Sequence, residues 1–151
     1  MKRPPQGWPR ISSAVFYDDA GKAIDFLCRA FGFEVRLKIE GEGGRIEHSE
    51  LVLGEGLVMV SSPGGSSERK VPVPGRSPRS VGGVNTQMLG VFVDDADAHC
   101  ARARAAGAKI IDQPTTSDYG EDYWSDRSYE AVDPEGHHWW FSQRLRNPGA
   151  K

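Results

Sequence analysis

The sequence predicts an α+β fold in which a βαβββ module occurs twice, the two copies forming one curled, eight-stranded mixed sheet around a central cavity. Two observations lead to this prediction. The order strand, helix, strand, strand, strand runs through residues 11–62 and again through 86–145. An Asp-Asp pair precedes each predicted helix, and a glycine, Gly32 or Gly107, follows it at nearly the same distance. Because neither copy is expected to cover its own sheet, we predict a single domain, and a concave sheet of this kind is a natural small-molecule site.

The first copy shows a distinct pattern for each of its elements. Residues 11–17 are rich in β-branched and aromatic side chains and predict a strand. Apolar residues at helical spacing predict a helix over 20–31, and strict alternation of apolar and charged residues over 33–40 predicts a strand with one side facing water. Two further strands are predicted at 45–53 and 57–61.

A loop separates the first copy from the second. Gly, Pro and Ser dominate residues 63–85, and no periodicity survives there. This loop is interpreted either as a linker between the copies or as a lid or subunit-contact arm. The second copy then predicts a strand at 88–93, a helix that follows Asp94-Asp95 and ends at Ala106, and a strand that begins at Lys109. A tight turn at 133–136, D-P-E-G, leads into the last strand.

Composition narrows the possible environments and partners. The chain has 151 residues, 38% of them hydrophobic and 26% charged, with a formal charge of −2, as in soluble globular proteins. Such a charge gives no reason to expect nucleic acid or a membrane surface as a partner. The N-terminal residues include no apolar stretch of a secretion signal. Cys28 and Cys100 lie within predicted helices, and we expect both to be buried thiols in a reducing cytoplasm.

A series of short motifs spans residues 8–145. The motifs are Asp19-x4-Ile24-Asp25-Phe26 with Phe31-Gly32-Phe33, Val91-Phe-Val-Asp-Asp95, Ala105-Ala-Gly-Ala108 and Asp133-Pro-Glu-Gly136. In this order they resemble the glyoxalase / bleomycin-resistance / extradiol-dioxygenase superfamily, the vicinal oxygen chelate proteins. The Trp-Trp-Phe ending is similar to an uncharacterised, glyoxalase-like subgroup. The resemblance implies the duplicated fold and a homodimer.

The resemblance also implies four positions for metal ligands, two in each module. The corresponding positions here are Ser12 or Ile11, Met88 or Gln87, Trp140, and one on the strand 57–61, which contains no carboxylate. A divalent metal needs neutral imidazole or carboxylate donors that converge on one point. The carried-over positions do not offer them, so we expect the fold without metal chemistry and without a cofactor.

Strand alternation assigns the aromatic residues near the end of the chain to two faces. If Trp140 points into the cavity, His138 and Ser142 share its face, because side chains alternate along a strand. The residues expected on the opposite face, beneath a helix, are His137, Trp139 and Phe141. We expect the Trp140 indole either to stack on a planar ligand or to fill the void. The two histidines cannot both bind one ion without distortion.

Three other residues are candidates for contact with a ligand. Either His48 or its neighbour Glu47 faces the cavity, and a single strand histidine is more often structural than catalytic. Arg127 is predicted to clamp a carboxylate or phosphate with its bidentate fork, the alternative being an Asp126–Arg127 pair that fixes a turn. Trp124 is predicted to form an aromatic wall.

The leading functional hypothesis is a metal-independent protein that sequesters a planar, partly polar compound, as the resemblance to bleomycin-resistance-type binders implies. The residues expected to line its site are Trp140, Trp124, Arg127, His48, His138, Ser12 and Met88. A second hypothesis is a glyoxalase-like lyase or isomerase with a metal held by His48, Glu50 and His138. A third is a vestigial pocket in a protein that acts only through interaction.

Overall fold

The strands form two four-stranded sheets, one in each repeat, rather than the single eight-stranded sheet that the sequence predicts. The computed structural model describes residues 1–149. Its first compact unit, unit 1, is Met1–Gly83, and the second, unit 2, begins at Val84. Each strand of the described chain finds its hydrogen-bonded neighbours within its own unit. Pairing within a unit closes short loops, which costs less chain entropy than pairing across the linker.

Unit 1 contains one helix and four strands in the predicted order. Its elements are β1 Ser13–Phe16, α1 Ala20–Phe26, β2 Glu34–Glu40, β3 Ile46–Leu53 and β4 Gly56–Ser61. Across the sheet the order is β1-β4-β3-β2. The pair β1–β4 is parallel, and the other two pairs are antiparallel.

Unit 2 repeats this topology. Its elements are β5 Leu89–Phe92, α2 Ala96–Ala105, β6 Lys109–Asp118, β7 Ser125–Val132 and β8 His138–Arg146. The order β5-β8-β7-β6, with β5 parallel to β8, matches that of unit 1 strand for strand. The repeated βαβββ topology is therefore confirmed.

The helix ends are determined by the residues that the sequence indicates. Asp19 accepts a hydrogen bond from the backbone N–H of Lys22 at 3.1 Å, and Asp95 accepts one from Ala98 at 2.9 Å. These bonds satisfy N–H groups that have no partner inside the helix. Gly32 and Gly107 have φ angles of 83° and 96°, which favour glycine at a helix end. The predicted helix 20–31 changes at Leu27–Phe31 into a wider π-helical turn.

The core of unit 2 lies between α2 and the sheet. Helix α2 contributes small side chains, and the sheet contributes Trp139, Phe141 and Tyr129, which are at most 1% exposed. The His99 ring of α2 lies 4.4 Å from the Phe141 ring, centre to centre. These contacts confirm that Trp139 and Phe141 point toward the helix. Burial of such aromatic side chains stabilises the fold by roughly 1.5–3 kcal/mol each.

The core of unit 1 has the same arrangement, but its sheet contributes aliphatic residues, and the buried aromatic residues Phe26 and Phe31 come from the helical segment. Val15, Leu51 and Val60 are at most 1% exposed, and α1 packs on β3 and β4. Strand β2 differs from its prediction, because all seven of its residues are exposed, the apolar ones by 40–47%. As an edge strand with a register shift beside Arg36, β2 is only partly covered.

The predicted loop packs against unit 1. Arg45 donates hydrogen bonds to the carbonyl oxygens of Pro63 and Gly65, and a short 3-10 turn spans Pro78–Val81. Gly75 lies so close to the Phe16 ring that a Cβ atom there would be 2.3 Å from it. The loop therefore covers one end of the sheet of unit 1.

The structure also describes the surroundings of the two cysteines and the character of the helices. Cys100 is buried as expected, whereas Cys28 is only half-buried, and neither cysteine forms a disulfide bond. Burial raises the pKa of Cys100, which keeps its thiol protonated. Within residues 1–149, no helix has the length and apolar character that crossing a membrane requires.

Candidate functional site

Each sheet has one face packed on its helix, and we call the opposite one the open face. In unit 2 the alternation along β8 is visible in burial: Trp139 is 0% exposed and Trp140 is 39% exposed. The open face therefore carries Trp140, Ser142 and Arg144 from β8. Strand β5 runs beside β8 with Gly90 opposite Trp140 and Phe92 opposite Ser142.

Two serines fix the indole of Trp140. Its Nε1–H donates to Ser142 Oγ at 2.8 Å. Ser142 Oγ lies 2.9 Å from Ser128 Oγ on the neighbouring strand β7. The indole N–H is thus satisfied within the protein, and the apolar ring surface is left for contact with another planar group.

Arg144 lies between two aromatic rings on the same face. Its guanidinium carbon is 5.2 Å from the centre of Phe92 and 5.6 Å from that of Trp124. Asp126 accepts a hydrogen bond from Arg144 Nε at 2.5 Å. The guanidinium is therefore held in place while its side chain remains 30% exposed. The sequence-based reasoning missed Arg144, although its spacing of four from Trp140 places both on one strand face.

His138 forms a pair with Glu130 at the other end of this face. His138 Nδ1 lies 2.5 Å from Glu130 Oε1, and Glu130 lies opposite Trp140 in the β7–β8 register. Asn85 binds the start of β8, since its side chain accepts from His138 N–H at 3.2 Å and donates to the Gly136 carbonyl at 2.8 Å. The predicted neighbours His138 and Trp140 do lie on one face.

Arg127 lies on the face of the sheet that packs on the helix. Its fork binds Asp97 of α2 through Nε at 2.5 Å and Nη2 at 2.7 Å. These hydrogen bonds lower the pKa of the Asp97 carboxyl. The structure does not bring Arg127 together with Trp140, and the Asp126 carboxylate binds Arg144 instead of Arg127. Trp124 lies in the β6–β7 hairpin, with Tyr119 5.3 Å away, centre to centre.

The open face of unit 1 carries a carboxylate network. His48 Nε2 lies 3.2 Å from Glu50 Oε1, and Arg36 Nε donates to Glu50 Oε2 at 2.8 Å. The Arg36 guanidinium also lies 4.9 Å from the centre of the Trp8 ring and donates to the Gly7 carbonyl. Burial raises the pKa of Glu50, but the bonds from His48 and Arg36 outweigh it, so the pKa lies below its usual value. The sequence left open whether His48 or Glu47 lies on this face. In the structure His48 does, together with Glu50.

A cleft of about 500 Å³ adjoins His48. It is bordered by the end of β2, the turn that follows it and part of the loop, and its lining residues include Ile39, Arg45, Glu47 and Glu68. Glu47 accepts a hydrogen bond from the Ser67 N–H at 2.5 Å, which joins the loop to β3. About half of the lining residues are charged, and two of them, Arg45 and Glu47, form an ion pair at 3.4 Å.

The positions carried over as metal ligands have no strong donors. Ser12 is half-buried just before β1, and Met88 is 50% exposed just before β5. In β4, Met59 lies opposite Ala14 and Glu50, as Trp140 lies opposite Gly90 and Glu130 in unit 2. Among residues 1–149, no three His, Cys, Asp or Glu side chains gather into a metal-ligand group.

The chain belongs to the Glyoxalase/Bleomycin resistance protein/Dioxygenase superfamily, whose family model matches residues 10–141. This confirms the family that the motifs indicate. In sequence, the chain is similar to the uncharacterized protein Mb0911c of Mycobacterium bovis (strain ATCC BAA-935 / AF2122/97). The identity is 31% over 143 residues, which are 91% of this chain and 85% of that protein.

Solved structures show the same fold. TioX from Micromonospora sp. ML1 aligns with a TM-score of 0.69 and 30% identity, covering 91% of this chain and 99% of that one. TnmS3, an antibiotic binding protein from Streptomyces sp. CB03234, aligns with a TM-score of 0.59 and 21% identity, covering 88% and 93%. At that lower identity the likeness to TnmS3 concerns the fold alone.

Proposed function

We propose that this protein binds a planar, partly polar small molecule on the open face of unit 2. The observation that carries the proposal is Trp140, which is 39% exposed on the same face as Phe92, 66% exposed. Burial of a large aromatic side chain is favourable by roughly 1.5–3 kcal/mol. Two such side chains left partly in water on one face are typical of a surface that a ligand covers.

The polar groups of this face suit a ligand that is flat and carries hydrogen-bonding atoms at its edge. Ser142 and Ser128 lie at the centre of the sheet, and the guanidinium of Arg144 lies at one end, held by Asp126. A planar guanidinium can donate to a carbonyl or carboxylate oxygen that lies in the plane of the ligand. In this proposal Arg144, rather than the predicted Arg127, binds the acidic or carbonyl group of the ligand.

The family supports binding as well as catalysis, since its name joins bleomycin resistance proteins with glyoxalases and dioxygenases. TnmS3, which has the same fold, is an antibiotic binding protein. Sequestration of a compound requires no metal, which agrees with Ser12, Met88 and Trp140 at the positions expected for ligands and with a strand 57–61 that contains no carboxylate. The proposal is therefore metal-independent binding rather than a glyoxalase reaction.

Isothermal titration calorimetry with two carboxylates tests the proposal. Anthracene-9-carboxylate offers a flat tricyclic ring, and adamantane-1-carboxylate offers the same acidic group on a globular hydrocarbon. We expect saturable binding of the first, with quenching of tryptophan fluorescence, and much weaker binding of the second. Equal affinity for both, or no binding of the flat compound, contradicts the proposal.

Metal analysis separates binding from the alternative lyase or isomerase. The purified protein is dialysed against Zn²⁺, Ni²⁺ or Mn²⁺, freed of unbound ion and assayed for metal content. We expect less than about one tenth of an equivalent, because the described residues offer no three clustered donors. A stoichiometric, tightly bound ion favours the enzyme hypothesis and contradicts metal-independent binding.

A further inference from the structure

Gly90 lies within β5, where glycine is not required by the backbone or by packing. Its φ angle is not in the left-handed region, unlike that of many other glycines in this chain. A Cβ atom built on Gly90 would meet no atom of the described residues within 4 Å. Glycine is disfavoured in strand interiors, because it loses more backbone entropy on folding and offers no side chain for packing. A glycine in such a place often marks a bulge, a tight bend or the close approach of another molecule to the backbone. The register between β5 and β8 has no shift at Gly90, so a bulge does not account for it.

Large side chains surround the bare backbone at Gly90. Trp140 lies beside it in the β5–β8 register. Phe92 lies two residues after Gly90 in the same strand, on the same side by alternation, and is 66% exposed. Met88, just before the strand, is 50% exposed. The main chain at Gly90 is therefore bare on the open face near an indole and a phenyl ring, and we call this place the slot.

We propose that Gly90 is a specificity-determining residue whose main chain contacts the flat face of the ligand. This inference rests on the proposed function and adds where the ring lies and why it must be flat. Without a side chain on Gly90, an aromatic ring can reach van der Waals contact with the peptide plane, at about 3.5–4 Å. A Cβ with further methyl groups occupies that space, and a globular hydrocarbon cannot enter it.

Unit 1 lacks this slot at the equivalent position. Ala14 takes the place of Gly90, beside Met59 instead of Trp140. Phe16, the counterpart of Phe92, is covered by the loop at Gly75. Ala14 is nevertheless exposed on its strand, as Gly90 is. Ala14→Val is therefore a matched control for the effect of a larger side chain on an edge strand.

The test compares Gly90→Ala, Gly90→Val and Ala14→Val by calorimetry with anthracene-9-carboxylate. We expect Gly90→Ala to weaken binding about threefold and Gly90→Val to weaken it at least about tenfold, in proportion to the volume added to the slot. The melting temperature of Gly90→Val should stay equal or rise, because valine favours strands and its Cβ atom meets no neighbour within 4 Å. Ala14→Val should bind as the wild type does.

The outcomes distinguish this inference from the proposed function. Wild-type binding that persists unchanged in Gly90→Val overturns the slot and leaves the proposed function standing. Failure of the wild type to bind the tricyclic compound contradicts both. An equal loss of affinity in Ala14→Val also overturns the slot, because it would assign the effect to a general change of the sheet edges.

Discussion

The two units share a topology and differ in what lies on their open faces. In unit 1, Met59 lies near the middle of β4, and Phe16 of β1 is covered by the loop at Gly75. In unit 2 the equivalent positions are Trp140 and Phe92, both exposed. The same backbone therefore presents a face whose aromatic residue is covered by the loop in unit 1 and a face with two exposed aromatic residues in unit 2.

The units also share one feature on their open faces. Glu50 lies opposite Met59, and Glu130 lies opposite Trp140, so the two carboxylates occupy equivalent positions. Each is paired with a histidine, His48 on the same strand in unit 1 and His138 on the next strand in unit 2. A repeated fold can thus keep a polar pair while the aromatic residues around it diverge.

The largest expected effect is the difference in stability between alanine variants of the two adjacent tryptophans of β8. Trp139→Ala should lower the free energy of unfolding by about 3–5 kcal/mol, because it opens a cavity beneath α2 and removes the bond from its indole N–H to the buried Asp133. Trp140→Ala should lower it by only about 1 kcal/mol, since the indole is already partly in water. Urea denaturation followed by circular dichroism measures both. Equal losses would contradict the assignment of the two faces.

A second comparison separates binding from stability at equivalent positions. Trp140→Ala should weaken the binding of anthracene-9-carboxylate about thirtyfold, which corresponds to about 2 kcal/mol of lost stacking and apolar contact. Met59→Ala should leave the affinity within about twofold, because the open face of unit 1 does not bind the ring in the proposed function. Calorimetric titration gives both values. A larger loss from Met59→Ala would place the ligand on unit 1.

The network around Glu50 predicts a pH dependence. Its folded-state pKa lies below the usual value, so its contribution to stability is present above the unfolded pKa of about 4.3 and is lost as pH falls through the folded pKa. Glu50→Gln should therefore be less stable than the wild type by about 1–2 kcal/mol at pH 7. The difference should begin to close as the pH falls below about 4.3 and should vanish only below the folded-state pKa. Urea denaturation at pH 7, 5, 4 and 3 measures it.

The exposed Glu55 provides the control for this pH series. Glu55→Gln should follow the wild type at each pH value. A constant difference between Glu50→Gln and the wild type across the whole series would show that the carboxylate charge does not stabilise unit 1.

The smallest effect distinguishes the two arginines of unit 2. Arg144→Lys should weaken binding of the flat carboxylate about threefold, because lysine lacks the planar fork. Arg127→Lys should leave binding unchanged and change the free energy of unfolding only slightly, since its partner Asp97 is 58% exposed and water screens the pair. Calorimetry and urea denaturation report on the two properties. A binding loss confined to Arg127→Lys would restore the role that the sequence assigned to it.

Much of the local structure was predictable because it depends on neighbours along the chain. Asp19 and Asp95 cap the two helices as expected, and the alternation along β8 assigned Trp139 and Trp140 to the correct faces. The same alternation left His48 and Glu47 undecided, since a strand of alternating polar residues has no marked inner face. The exposure of β2 was not predicted, because an edge position depends on the order of strands in the sheet.

The sequence by itself determined the family, the duplicated βαβββ order and the starts of the two helices, because periodicity, capping residues and repeated motifs are local properties. Only the tertiary structure decided that the strands form two sheets, that Asp97 binds Arg127, and that Arg144 joins Trp140 on the open face. These outcomes depend on strand register and on side chains about thirty residues apart in the sequence, as for the Arg127–Asp97 bond. Local sequence patterns do not predict which of several charged residues will form an ion pair across such a distance.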